Sequence, residues 1–464
     1  MDTNWRPDLA AYPGPKYLAL LRALRDAIRD GELPQGVQLP TVRSLAWALG
    51  VTPGTVSRAY QMATQEGLLA ATVGRGTFVA AQSPRLGPTQ SLFVEIDTEA
   101  RGLIDLRSPQ LPDVGQAGVL GMAMARAGAR ANGWRPYPSQ RGEAGLRALV
   151  CDWLADCRLG AFGPDDLVLT HGGQNALLLV MLCCLRGDRP VVLSEDLAYP
   201  GIRHAARLAR AEVVGVEMDH EGILPEALEA ACRRHGAQVL VLTPDAQNPT
   251  AASMGATRRA EVIRIARAYD LQVIEDHCYA PSQCDQPALR MLAPERCWYV
   301  GSLSKSISAA LRFGYIVCPR GMGEAGRLTA QHGSFALGAP VSATVEELLR
   351  SGTATALRHA VQAGMEQRLQ VLVKGLAGSD LAFVPGVPFV WLHLPQGWRG
   401  STFTRAAEAA GILLRQADEY ALIHGRAPHA VRVAACGGIE TGRLAEAVAV
   451  LARLLAQPPS DMAV

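Results

Sequence analysis

The chain has 464 residues, 49% of them apolar and 19% charged, with a formal net charge of +2; this is ordinary globular composition, long enough for two or three domains. The longest apolar run, Ala176 to Leu185, is about half the roughly 20 residues of a membrane span, and the start Met1-Asp2-Thr3-Asn4-Trp5-Arg6 has no apolar signal core, so a cytoplasmic protein with no membrane partner is expected. Ten cysteines without a C-x-x-C pair argue against a disulfide framework or a metal site, and so small a net charge leaves DNA binding to be argued locally.

In chain order, Tyr17, Leu21, Leu24 and Ile28 share one face of a helix over 17–30, closed by Gly31 and Pro34. Thr41 caps a second helix with the stripe Val42, Leu45, Ala46 and Leu49. Gly50-Val51-Thr52 is a tight turn, Thr52 caps a third helix, and Pro53 takes its tolerated first position. That helix buries Val56, Ala59, Tyr60 and Ala63. Leu68 to Val73 and Thr77 to Val79, either side of Gly74-Arg75-Gly76, read as a hairpin. Three short helices and a β-ribbon make a winged helix-turn-helix over residues 1–80. Residues 81–101, with Ser83-Pro84 and Gly87-Pro88, read as a linker.

Strand and helix patterns alternate in the remainder. Strands are expected at 167–170, 190–193, 213–216, 239–243, 271–275, 298–300 and 315–317, with a helix over 174–185. This is a mainly parallel α/β sheet with ligand groups at strand ends. Strands at 388–394 and 431–434 and a closing helix from Glu440 suit a small α/β subdomain over about 340–464, within a second domain of 102–464.

In a helix-turn-helix the N-terminal part of the second helix enters the major groove. Thr52, Thr55, Ser57 and Arg58 lie opposite the apolar stripe. Arg58 suits bidentate contact with guanine, Arg43 and the hydroxyls suit phosphates, and Arg75 at the wing tip reaches a neighbouring groove or phosphate. The string Leu39-Pro40-Thr41-Val42-Arg43-Ser44-Leu45-Ala46, then Leu49-Gly50-Val51-Thr52, Thr55-Val56 and Gly74-Arg75-Gly76-Thr77-Phe78-Val79, resembles the GntR-type winged helix through its whole length.

Only three of the 45 basic residues are lysines, Lys16, Lys305 and Lys374, so an amine nucleophile has few possible seats. Lys305, in Gly301-Ser302-Leu303-Ser304-Lys305 after a strand, has a hydroxyl (Ser302) and a guanidinium (Arg312) nearby in sequence. That grouping suits a Schiff-base lysine beside a phosphate. Thr170-His171-Gly172-Gly173-Gln174 joins a strand to a helix N-terminus, either a structural turn or an anion site. Asp276 ends a strand, with Tyr279 three residues on; a carboxylate there keeps a pyridine nitrogen protonated or is an ordinary loop acid. Asn248-Pro249-Thr250 is a turn, or offers an amide to a phenolic oxygen. Tyr199 is a stacking face or core, and Arg432 a salt-bridge partner or a carboxylate clamp.

These segments, in this order, resemble fold-type I aminotransferases of the aspartate aminotransferase superfamily. The resemblance implies pyridoxal 5'-phosphate on Lys305, with Asp276 at the pyridine nitrogen, Asn248 and Tyr279 at the phenolic oxygen and Tyr199 over the ring. It places the phosphate on Gly173, Gln174, Ser302 and Arg312, with Tyr137 reaching the partner subunit's phosphate, and a ligand carboxylate on Arg432. Ala251 departs from the family's Asn-Pro-Thr-Gly motif. Joined in this order, the two halves resemble the MocR/GabR subfamily of GntR regulators. The implied protein is a homodimer, head-to-tail, that binds an operator in double-stranded DNA and senses a small amino compound or pyridoxal phosphate. The alternative is an active aminotransferase with a vestigial helix-turn-helix.

Overall fold

The computed structural model describes residues 5–66, 68–72, 76–80, 102–130, 137, 139, 141–279, 286–422, 427–435 and 437–457. Arg75 and the expected linker at 81–101 lie outside these residues. The chain divides into two units, Met1–Ser91 and Leu92–Val464.

In the first unit, helices α1 (Lys16–Arg29), α2 (Val42–Leu49) and α3 (Pro53–Gln65) precede an antiparallel ribbon of β1 (Leu69–Thr72) and β2 (Gly76–Val79). The Thr41 side chain accepts from Ser44 N at the start of α2, and Gly50 closes it at φ +61°, where a side chain would be strained. Thr52 caps α3 in the same way, accepting from Thr55 N at 3.3 Å. Leu20, Leu24, Leu45, Val56 and Val79 form one buried cluster, so the ribbon packs on the same core as the three helices. Tyr60 joins this core and donates its hydroxyl to Pro40 O at 2.9 Å, which ties α3 to the segment entering α2.

In the second unit a seven-stranded sheet runs β4 (Leu167–Thr170), β12 (Gly314–Val317), β11 (Cys297–Ser302), β10 (Gln272–Asp276), β9 (Val239–Leu242), β5 (Val191–Glu195) and β6 (Glu212–Val216). Only β12 is antiparallel to its neighbours. The central strands are buried along their whole length, as the apolar runs require of a sheet covered on both faces. A small hairpin of β7 (Met218–Asp219) and β8 (Gly222–Ile223) follows β6. The small subdomain has a four-stranded antiparallel sheet, β13 (Leu381–Ala382), β14 (Phe389–His393), β17 (Ala430–Ala434) and β16 (Arg415–Gln416).

The small subdomain differs from the expected 340–464 in two ways. The helix Ala339–Arg350 packs Val345 and Leu348 against Leu146, Val150 and Leu169 in the large-subdomain core. Leu106, close behind β3 (Ile104–Asp105), belongs to the small core with Leu369 and Phe403, and β3 pairs in parallel with β15 (Ile412–Leu413). The long helix Thr353–Gly375 spans both cores, contributing Leu357 to the large one and Leu369 and Leu372 to the small one.

Candidate functional site

On the first unit, Arg43, Thr52, Ser57 and Arg58 are exposed and Thr55 is half-buried. The hydroxyls of Thr52 and Thr55 lie 2.9 Å apart, so both help to start α3 and share one edge of its N-terminus. The Arg58 guanidinium lies over the Tyr17 ring of α1, 4.2 Å from its centre. A groove contact by Arg58 therefore requires it to leave that ring, at a cost of about 0.5–1 kcal/mol for an exposed cation–π pair.

In the second unit the C-terminal ends of the parallel strands converge, and β12 returns antiparallel so that Arg312, just before it, reaches the same edge. The turn after β4 opens the helix Gly173–Cys184, whose first amides have no intrahelical acceptor. Gly172 sits at φ +88° and ψ 174°, and an added Cβ would lie 2.7 Å from Arg312 Nη2. Arg312 Nη2 donates to His171 O at 3.2 Å. A Cβ on Gly314 would lie 2.8 Å from the Gly172 backbone. Glycine at these two places lets a cation and a helix N-terminus close on one small volume, which is the composition of a phosphate cradle. Ser302, buried at the end of β11, accepts from Ser304 N and caps the short turn that carries Lys305.

Asp276 is buried at the end of β10 and accepts from Cys278 N at 3.0 Å. Burial pushes its carboxyl above the ordinary range, with the Cys278 hydrogen bonds and His277 only partly opposing. A cationic ring N–H at this carboxylate would reverse that penalty, because an opposite charge favours the ionised form. Tyr199 precedes the helix Pro200–Leu208; burial raises its phenol, and Cys278, Tyr279 and Asp276 are among the groups acting on it. Gln174 donates through Nε2 to Gly201 O at 2.9 Å, and a Cβ on Gly201 would fall on both the Gln174 amide and the Tyr199 ring.

Asn248 and Arg432 meet directly: Arg432 Nη1 donates to Asn248 Oδ1 at 2.6 Å. The guanidinium is buried, lies over Phe389 and Tyr420 at 5.3 and 5.1 Å, and donates through Nη2 to Arg107 O at 2.7 Å. Tyr279 packs edge-on to Phe389, and Lys305 Nζ is 5.5 Å from the Tyr279 ring centre. Lys305 Nζ donates to Pro109 O at 3.0 Å. Two cations from different subdomains are thus bound by carbonyls only two residues apart in the segment after β3.

The loop carrying Asn248 has its own anchor. Gln247 donates through Nε2 to Leu197 O at 2.6 Å and to Glu195 Oε2 at 3.3 Å, and its Oε1 accepts from Thr250. Glu195 is fully buried at the end of β5, and burial pushes its carboxyl up to about 8. Asn248-Pro249 is a cis peptide, and Ala251 lies at φ +61°, the left-handed region that the glycine of the usual motif would suit.

Through direct contacts and shared neighbours, Gly173, Gln174, Tyr199, Asn248, Asp276, Tyr279, Ser302, Lys305, Arg312 and Arg432 form one connected group. Tyr137 stands apart from them, 83% exposed with its ring stacked on Phe335 at 5.6 Å. Gly201, Cys278, Glu195 and Gln247 also support this group and escape a reading of the sequence. Glu195 alone had a signal, an acid ending an apolar strand. Among the described residues no helix is long and apolar enough to cross a membrane, and no cluster of His, Cys, Asp and Glu gathers to hold a metal ion.

Residues 16–79 match the model of the bacterial regulatory proteins of the gntR family, and residues 102–451 match that of the class I and II aminotransferases. The uncharacterized HTH-type transcriptional regulator YdeF of Bacillus subtilis is 30% identical over 465 residues, covering 97% of each chain. The HTH-type pyridoxine biosynthesis transcriptional regulator PdxR of Corynebacterium glutamicum is 29% identical, over 74% of each chain. Among solved structures, an archaeal alanine:glyoxylate aminotransferase superposes with a TM-score of 0.69 at 23% identity, covering 78% of this chain and 93% of that one. This similarity shows a fold-type I aminotransferase fold for the second unit. The chain belongs to the GntR-type helix-turn-helix transcriptional regulators that carry a class I and II aminotransferase domain, the MocR/GabR arrangement.

Proposed function

We propose that this DNA-binding regulator holds pyridoxal 5'-phosphate in the cleft around Lys305 and changes its grip on an operator when a small amino compound binds there. The glycine cradle supports the cofactor: at Gly172 and Gly314 a side chain would fill the space between Arg312 and the helix N-terminus. Pyridoxal phosphate supplies an aldehyde that condenses with amines and a ring that withdraws electrons. On this reading Lys305 carries the group and Asp276 keeps the ring nitrogen protonated. Tyr279 and Asn248 donate to the phenolic oxygen, and Tyr199 covers one ring face. Gly173, Gln174, Ser302 and Arg312 hold the phosphate, with Tyr137 completing the partner subunit's site in a head-to-tail homodimer.

The observation that carries the sensing role is the pair of carbonyls at Arg107 and Pro109, which take donors from Arg432 and Lys305. An amino compound with a carboxylate offers an anionic acceptor to Arg432 and an amine in competition with Lys305. Both contacts then lose their donors, and the strap formed by the segment after β3, which leads into the large subdomain, is released. Domains of 1–80 and 102–464, joined through 81–101 in a cytoplasmic protein, complete the proposal. On the first unit, Arg43 and the hydroxyls hold phosphates while Arg58 and the wing residue Arg75 approach the grooves.

The test follows from linkage: an effector that alters operator affinity must have its own affinity altered by operator, by the same factor. Candidate amino acids are titrated against the visible band of the full-length protein, with and without operator duplex. Unequal affinities support the proposal. Equal affinities, for a compound that does change DNA binding, refute it.

A further inference from the structure

Lys305 also lines a cavity of about 90 Å³ in the seam between the two subdomains. Its walls are Tyr299 of β11 and Tyr315 of β12, Trp153 and Cys157 at the end of the helix Ala144–Trp153, and Arg358, Gln362 and Met365 on the long helix Thr353–Gly375. Gly386–Pro388, leading into β14, closes it. Among the described residues that line it there are two cations, Lys305 and Arg358, and no carboxylate.

Arg358 is set up to receive an anion. Its guanidinium lies 4.2 Å from the Trp153 ring centre, which fixes its plane and leaves its edge donors available. Its acidic neighbour Asp156 is 3.9 Å away with a side chain 91% exposed, so water weakens that pair. A cavity of this size is smaller than the roughly 150 Å³ in which a benzene ring lies, and so takes a body of about four to six heavy atoms.

We propose that this seam binds a small organic carboxylate, its anionic end on Arg358 and Gln362 and its short apolar body against Trp153 and Met365. Tyr279, Ser302 and Lys305 also line the cavity, so it borders the proposed cofactor site, whereas Arg432 of the effector clamp is not among its lining residues. The long helix packs in the large core at Leu357 and in the small core at Leu369, so an occupant between these anchors ties the two subdomains together beside Lys305.

Propionate is the probe, titrated calorimetrically into the full-length protein at constant ionic strength, with propionamide as the uncharged control. Saturable binding of propionate and none of propionamide is expected. Arg358→Gln should weaken binding at least tenfold. Met365→Trp, which fills the seam and keeps Arg358, should abolish it. Arg432→Gln should leave it in place, because the clamp is elsewhere. The proposal is overturned if propionate does not saturate, if propionamide binds equally, or if both seam variants bind as wild type does. Loss of binding in Arg432→Gln alone also overturns it, by assigning the carboxylate to the clamp.

Discussion

Gly172 gives the sharpest test of the cradle. Its φ of +88° and ψ of 174° fall in a region essentially confined to glycine, where another residue costs about 1–3 kcal/mol. In Gly172→Ala the new methyl also lies 2.7 Å from Arg312 Nη2, inside any normal contact. Without ligand the turn can rotate away and shed most of this strain. With a phosphate bound, Arg312 and the amides of Gly173 and Gln174 hold the turn in place, so the strain is charged to binding. At 1.36 kcal/mol per decade, about 1–3 kcal/mol weakens affinity roughly 5- to 150-fold. The loss must be specific to the phosphate. Pyridoxal phosphate and pyridoxal are therefore each titrated against the apo-protein, following the visible band. The expected result is a large loss for the phosphate ester and little for pyridoxal. Equal losses for both, or an unchanged affinity for the ester, would place the phosphate elsewhere and refute the cradle.

Lys305→Ala should abolish the visible band, and borohydride reduction of wild type should fix the cofactor on the peptide containing Lys305; recovery on Lys16 or Lys374 would sink the assignment. Asp276→Asn should make the apo-protein more stable at neutral pH, since it removes a carboxyl whose ionised form burial penalises, while weakening cofactor retention; a less stable apo-protein contradicts the reasoning. Glu195→Gln should gain stability over wild type as pH rises from about 4.5 to about 8 and hold that gain above it, because the folded carboxyl keeps a proton that the unfolded one has lost; a pH-independent difference between the two thermal melts excludes this. Thr52→Ala should cost the first unit about 0.5–2 kcal/mol through loss of the α3 cap, and Arg58→Ala should reduce binding to specific DNA more than to random DNA by about 1–3 kcal/mol; equal loss on both duplexes removes Arg58 from base reading.

What was legible in the sequence has a common physical basis. Asp276 ends, and Lys305 and the Gly172-Gly173 turn follow, strands whose apolar runs are unmistakable, so their place at one sheet edge follows from the parallel alternation alone. Thr41 and Thr52 were legible because capping is local chemistry within four residues. The strap was not, since its working groups are the backbone carbonyls of Arg107 and Pro109, and every residue has one. The small-subdomain boundary misled because the apolar stripe of Ala339–Arg350 reads alike whichever core it faces. Arg58 was placed opposite the stripe correctly, but a long side chain can lie back along its own domain, here onto Tyr17. Gly201 needed the folded chain, for nothing local says that Gln174 and Tyr199 both press on it.

A site with the groups for transamination can serve regulation if the binding energy goes to a conformational equilibrium instead of a transition state. A ligand shifts two states only by the difference between its affinities for them. Arg432 and Lys305 are well placed to create that difference on the proposed reading. Each already has a partner in the strap, so an incoming carboxylate and amine exchange contacts and do not simply add them. The net gain in the cleft is small where the strap stays and large where it is released, which is the condition for a ligand to favour one state. The strap's other end is β3, paired to β15 in the small subdomain, and Leu106 is buried in that subdomain's core. On the proposed reading its release acts on the small core, where a change of packing has two discrete outcomes and not a continuum.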